Sequence, residues 1–207
     1  MADDSHDVRA PELRALQRRG RDDPEGLWAD VASDLYWSER WDSVFESEGP
    51  GEFEWFTGGR TNMSYNAVDR HVEDGDGNRA ALVFETGERE GNEVYTYTEL
   101  QHEVERVAGM LRAFDVERGD TVTIYMPMCP EAVFAMLACA RIGAIHSVVF
   151  GGFGAAALAD RIELADAELL LTADVGYRNG DEVDLKAIVD RSLDEYEAAG
   201  DRIEDVV

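Results

Sequence analysis

Between residues 121 and 172, short apolar runs rich in β-branched residues alternate with longer segments of helical periodicity, and this alternation leaves few folds open. The spacing predicts strand 121–126, helix 130–142, strand 145–150, helix 155–164 and strand 169–172. Strands joined through helices run parallel, because a crossover long enough to hold a helix returns the chain to the same end of the sheet. Pro130 suits the first turn of its helix, where its missing N–H has no intrahelical acceptor to lose, and Gly143 suits the stop. The expected class is therefore α/β, a parallel sheet flanked by helices.

Upstream, residues 64–73 read as a helix with Tyr65, Val68 and Val72 on one face, closed by Asp74-Gly75-Asp76-Gly77. Residues 80–85 and 93–97 read as strands. Thr98 and Gln101 have the form of a capping box, with Leu100, Val104, Val107, Ala108 and Leu111 at helical spacing behind it. Helical patterns at 11–19 and 24–39, and Trp37, Trp41 and Phe45 spaced by four, predict an N-terminal helical extension with one buried aromatic face. Gly49-Pro50-Gly51 marks the expected break, which gives an extension at 1–50 and an α/β portion at 51–207. An acidic amphipathic helix at 185–199 is expected to close the chain, with no strand after it.

Composition narrows the partners. The 19 basic and 45 acidic residues leave a net charge of -26, which argues against nucleic acid and anionic membranes as partners. Lys186 is the only lysine, so arginine and carboxylate stand where many lysines are usual, a pattern expected of a protein working at molar salt. There the Debye length is about 3 Å and surface carboxylates repel each other weakly. Cys129 and Cys139 lack a neighbouring His cluster, which indicates neither a zinc site nor a disulfide framework and fits a reducing cytoplasm. The acidic N-terminus lacks the apolar core of a secretory signal. Residues 142–159 carry no Asp, Glu, Lys or Arg, but four glycines, His146 and Ser147 favour a strand, a glycine loop and a helix start over a membrane span.

The segment Ser147-Val148-Val149-Phe150 runs through Gly151-Gly152-Phe153-Gly154 into an alanine-rich helix. Gly152, Gly154 and Ala157 satisfy a G-x-G-x-x-A dinucleotide fingerprint, and Asp174 follows at the distance of a ribose-binding acid. Glycines let a phosphate or a base approach the backbone, and the helix start offers free N–H groups, whichever nucleotide is bound. The turn alone leaves an NAD(P)-binding module, a coenzyme A binder and simple tight packing all open. His71 has no second His at metal spacing, and His146, in an apolar strand, reads as a satisfied core histidine.

Longer strings resolve the choice. Trp55-Phe56, Gly58-Gly59, Asn62, Asn66 and Asp69-Arg70-His71 resemble the opening signature of AMP-forming acetyl-CoA synthetases within the adenylate-forming enzymes. Ile124-Tyr125-Met126-Pro127-Met128, Pro130-Glu131, the run from Met136 to Ala144, His146-Ser147-Val148 and Phe150-Gly151-Gly152-Phe153 are similar to the same family, in order and without gaps. Propionate-CoA ligases share much of this pattern.

The resemblance implies that acetate, ATP and coenzyme A are the substrates, with Mg2+ as the metal. Acetyl-AMP and pyrophosphate would form first, and the thiol of coenzyme A would then displace AMP. Phe150, Gly151 and Gly152 match positions that approach the adenine of coenzyme A, and Arg178-Asn179-Gly180 matches the stretch that meets its 3'-phosphate. A planar guanidinium grips phosphate oxygens in pairs, which suits Arg178 to that task. Asp181 stands where many relatives carry a second basic residue. The phosphate-binding Ser/Thr/Gly loop with its lysine and the mobile lysine of adenylation have no counterpart in these residues, nor is there a G-x-x-x-x-G-K-[ST] loop. The ATP and Mg2+ sites are therefore expected in the rest of the same polypeptide, and this chain alone is expected to be inactive.

Overall fold

The computed structural model describes residues 10–86, 92–178, 180–199, 203 and 205–207. These form two compact units, one reaching to Asn62 and one starting at Met63.

In the first unit, α1 (Ala10–Asp22) and α2 (Pro24–Ser33) are followed by a hairpin of β1 (Ser43–Gly49) and β2 (Glu52–Thr57). Asp23 caps α2 by accepting from the Gly26 N–H at 3.0 Å, and Pro24 occupies the first turn. The expected helix at 24–39 stops at Ser33, and the four-residue aromatic spacing is not a helix face. Trp37 and Trp41 lie in the connection, where they pack on Phe56 with ring centroids 5.4 and 5.1 Å away, while Phe45 sits on β1 against Trp55. Gly49, Pro50 and Gly51 form the β1–β2 corner and no unit boundary: Gly51 takes a φ of 88°, which a turn requires and a side chain disfavours.

The second unit begins with two π-helical turns, Tyr65–Asp69 and Val72–Asp76, in place of a plain α-helix; Gly75 ends them with a φ of 93°. A hairpin of β3 (Ala80–Glu85) and β4 (Asn92–Thr96) leads into α3 (Tyr97–Ala113). The capping box exists but lies two residues earlier than the sequence suggests. Thr96 Oγ1 accepts from the Glu99 N–H at 3.2 Å, and the Glu99 carboxylate accepts from the Thr96 N–H and hydroxyl, each at 2.8 Å. These bonds hold the Glu99 pKa below its ordinary value. A depressed carboxylate stabilises the fold above its unfolded pKa, and that contribution is lost as pH falls through the folded value.

Then come β5 (Thr121–Tyr125), α4 (Pro130–Ile142), β6 (Ile145–Val148), α5 (Ala155–Ala165) and β7 (Ala167–Thr172). A short hairpin, β8 (Val175–Arg178) and β9 (Asp181–Asp184), precedes α6 (Leu185–Ala199) and β10 (Asp205–Val206). The parallel sheet has the order β10-β7-β5-β6, so a strand does follow the last helix, beside β7. The β8–β9 hairpin was not foreseen, although Asn179-Gly180 is a strong hairpin dipeptide.

Alternating residues of β5 and β7 feed two cores. Val122, Ile124, Leu169 and Leu171 pack with Leu100, Val104 and Leu111 of α3 and with Phe134 and Ala138 of α4. Tyr125 and Leu170 face the other way, with Leu158 and Ile162 of α5 and Leu185 and Val189 of α6. The result is helix, sheet, helix. Because β6 is the sheet edge among the described residues, His146 is exposed there and not a core histidine. No helix is long and apolar enough to cross a membrane among the described residues, and 142–159 divides into a helix end, β6, a turn and the start of α5.

A polar clamp ties the π-helical turns to α3 and α4. Arg141 donates to both Asp69 oxygens, at 2.7 and 2.8 Å, and to Glu105 at 3.0 Å, while Gln101 donates to Asp69 at 2.8 Å. The Asp69 side chain is only 9% exposed, so removing it leaves the Arg141 charge poorly compensated.

Asp69→Ala is expected to cost about 3 kcal/mol, and most of that loss should persist at molar salt because buried pairs are screened little; urea melts at two salt concentrations check both points. Thr96→Ala removes the N-cap acceptor and should cost about 1 kcal/mol, lowering the melting midpoint by a few degrees in a calorimetric scan.

Candidate functional site

Two successive crossovers run in opposite directions along the sheet. The chain passes from β5 through α4 to β6 on one side, then from β6 through α5 to β7 on the other side of β5. With α4 on one face of the sheet and α5 on the other, the loops after β5 and β6 diverge and leave a crevice at the carboxyl ends of the strands. A cavity of about 1020 Å³ lies there, lined by Met126 to Cys129, Val148 to Gly152, Val175 to Arg178, and by Glu85 and Thr86 from the β3 end.

Tyr125 anchors the glycine turn from below. Its hydroxyl donates to the Phe153 carbonyl at 2.7 Å, and its own carbonyl accepts from Thr172 Oγ1 at 2.9 Å, so β5, β7 and the turn are held together at one point. Burial pushes the Tyr125 pKa up, which keeps the phenol a donor. The Phe153 N–H closes the turn on the Phe150 carbonyl at 3.0 Å.

The glycines of the turn have distinct steric duties. A Cβ on Gly151 would sit 3.1 Å from the Met126 carbonyl oxygen, so this backbone lies against the loop after β5. A Cβ on Gly152 would fall 2.5 Å from the Phe150 ring and 2.6 Å from Arg178 Nη1. Gly152 therefore makes room for two side chains that meet over it, and the Arg178 guanidinium carbon lies 5.5 Å from the centre of the Phe150 ring. Gly154 is the N-cap of α5 with extended backbone, and a Cβ there would meet nothing within 4 Å, so the third fingerprint position carries no packing demand.

Of the residues singled out from the sequence, Phe150, Gly151, Gly152 and Arg178 come together on one wall of the cavity. Gly180, with a φ of 85°, belongs to the β8–β9 turn and is not part of the lining. Asn179 lies outside the described residues. Sequence reasoning missed Tyr125 and Thr172 as supports, and Tyr177, which is 57% exposed beside Arg178. Met128 is 88% exposed at the cavity.

The cavity is otherwise chemically quiet. Burial, aided by the charge of Glu131, pushes the Cys129 thiol up to about 11, so at neutral pH it is a protonated wall residue and a poor nucleophile. Among the described residues no group of three His, Cys, Asp or Glu could hold a metal. The wall offers an aromatic face, a glycine backbone and a guanidinium, groups whose chemistry suits a flat base beside a phosphate.

The N-terminal portion, residues 13–67, matches the family described as acetyl-coenzyme A synthetase N-terminus, and residues 68–205 match the AMP-binding enzyme family. Among curated proteins, the acetyl-coenzyme A synthetase of Deinococcus radiodurans is 49% identical over 89% of this chain and 28% of its own length. That of Rubrobacter xylanophilus is 48% identical over 84% of the chain and 27% of its own, and that of Halorhodospira halophila 44% identical over 88% and 28%. The chain thus spans a little over a quarter of the relatives it matches. The dinucleotide-binding alternative gives way to these matches, which run through the glycine turn itself. With its parallel sheet, its glycine turn at the switch point and an N-terminal portion of matching kind, the chain belongs to the AMP-binding enzyme family and has the N-terminus of the acetyl-coenzyme A synthetases.

Proposed function

We propose that the protein to which this chain belongs is an AMP-forming acetate-CoA ligase, and that these residues form part of the wall that receives the nucleotide end of coenzyme A. The observation that carries the assignment is the convergence of Phe150, Gly152 and Arg178: ring and guanidinium meet over a position where an added Cβ would displace them. The adenine of coenzyme A would lie against the Phe150 ring and the bare turn. Arg178 would donate to the 3'-phosphate, a charge-assisted contact stronger than a neutral hydrogen bond. ATP and Mg2+ would be held by other parts of the protein, and the neutralising charge that Mg2+ supplies to the phosphates acts in the first half-reaction. Acetate in place of propionate accords with the names of the relatives at 44 to 49% identity. A cytoplasmic setting accords with the two free cysteines.

Because this wall is assigned to the second half-reaction, damage to it should separate the two. In the full-length enzyme, Arg178→Ala is expected to raise the KM for coenzyme A about tenfold and to leave acetate-dependent exchange of pyrophosphate into ATP within twofold of the parent. An equal loss in both assays would remove Arg178 from the coenzyme A site. Gly152→Ala, which drives a methyl into the space between Phe150 and Arg178, should show the same split with a loss at least as large.

A further inference from the structure

We propose that Asp181 sets the strength and the salt dependence of this wall toward its polyanionic ligand, so that coenzyme A binds more tightly as ionic strength rises, a role that rests on the coenzyme A assignment above. An ordinary arginine–phosphate contact behaves in the opposite way, weakening as salt screens the attraction.

Strand register carries the argument. Asp181 pairs directly with Arg178 across the β8–β9 hairpin. Residues directly opposed in an antiparallel pair project from the same face, with Cβ atoms about 5 Å apart. A carboxylate therefore stands on the same face as the guanidinium that lines the cavity. Yet the two make no direct ion pair: the ion pairs among the described residues include neither Arg178 nor Asp181. The guanidinium is turned instead to the Phe150 ring, over Gly152. Glu182 and Asp184, which alternate to the other face of the strand, and a net charge of -26 for the chain add to the negative field around this cation.

The forces on an incoming phosphate then differ in range. Its contact with Arg178 is short and directional, made of paired N–H donors at a separation well inside the Debye length, so salt weakens it less than it weakens longer-range terms. Its repulsion by Asp181 and the carboxylates behind it acts across several ångströms of water, and is cut off when the Debye length falls from about 8 Å near physiological salt to about 3 Å at 1 M. Added salt thus removes more repulsion than attraction, and Asp181, being nearest to the cation, contributes the largest single part.

Titration calorimetry on the full-length protein tests this, with potassium chloride from about 0.2 M to about 3 M over the range in which circular dichroism shows the fold unchanged. The probes are coenzyme A, 3'-dephospho-coenzyme A and uncharged pantetheine. Affinity for coenzyme A is expected to rise about three- to fivefold across the range, with a smaller rise for the dephospho form and none for pantetheine. Asp181→Asn should bind coenzyme A about threefold more tightly than the parent at the low-salt end and equally at the high-salt end. Asp181→Glu, which keeps the charge, should follow the parent and so separates charge from any change in the hairpin. Parent affinity that falls with salt, or an Asp181→Asn protein indistinguishable from the parent at low salt, overturns the proposal. If Arg178→Ala weakens binding while Asp181→Asn is silent, only the role of Asp181 fails; if Arg178→Ala binds coenzyme A as the parent does at every salt concentration, the coenzyme A assignment fails with it.

Discussion

Strand β5 is the member on which the arrangement depends, because it is paired on both sides and supplies both cores. Val122 and Ile124 enter one apolar cluster and Tyr125 the other, so a single strand sets the spacing of the two helical layers. A slip of one residue in its register would exchange the faces, turning Thr123 and Tyr125 into the core that Val122 and Ile124 now fill. Pairing on either edge with β6 and β7 makes that slip costly, since it would break two ladders at once. The crevice is a consequence of the same geometry: the loops after β5 and β6 lead to helices on opposite faces and must part at the carboxyl ends of these strands.

The glycine turn translates this scaffold into a surface. Tyr125, the last residue of β5, reaches up to the Phe153 carbonyl, while its main chain is tied to Thr172 of β7. The turn is thus held from beneath by partly buried hydrogen bonds, and its other side faces the Phe150 ring and the Arg178 guanidinium. Gly151 lies close to the β5 loop and Gly152 lets Phe150 and Arg178 meet, so the two adjacent glycines answer to different neighbours. A surface supported this way is set before any ligand arrives, and every rotamer fixed beforehand is one that a ligand need not order.

Electrostatics acts on two scales in the chain. Where charge is taken out of water it is compensated locally and geometrically, as in the paired bonds of Arg141 to Asp69, which also receive Gln101. Where it stays in water the chain carries a large excess of carboxylates, whose mutual repulsion depends on the medium. Arg178 belongs to neither group: exposed, outside any ion pair among the described residues, and set against an aromatic face, it is a cation kept available at the mouth of a cavity.

Residues 121 to 172 were legible from the sequence because β-branched runs and helical periodicity there agree with the final fold, and caps such as Pro130 and Gly143 punctuate them. The family strings were equally plain, and they pointed to Phe150, Gly151, Gly152 and Arg178. The rest was decided by distant partners. Trp37, Trp41 and Phe45 look helical by spacing, but rings from β2 draw them into a connection and a strand. Residues 205 and 206 are a strand only because β7 offers an unpaired edge, and His146 is exposed because β6 is an edge. Local periodicity reports what a segment can bury, and thus determined the class of the fold. Which edge stays open, and which cation meets which ring, are set by pairings between residues far apart in the chain, and only the tertiary structure supplies those.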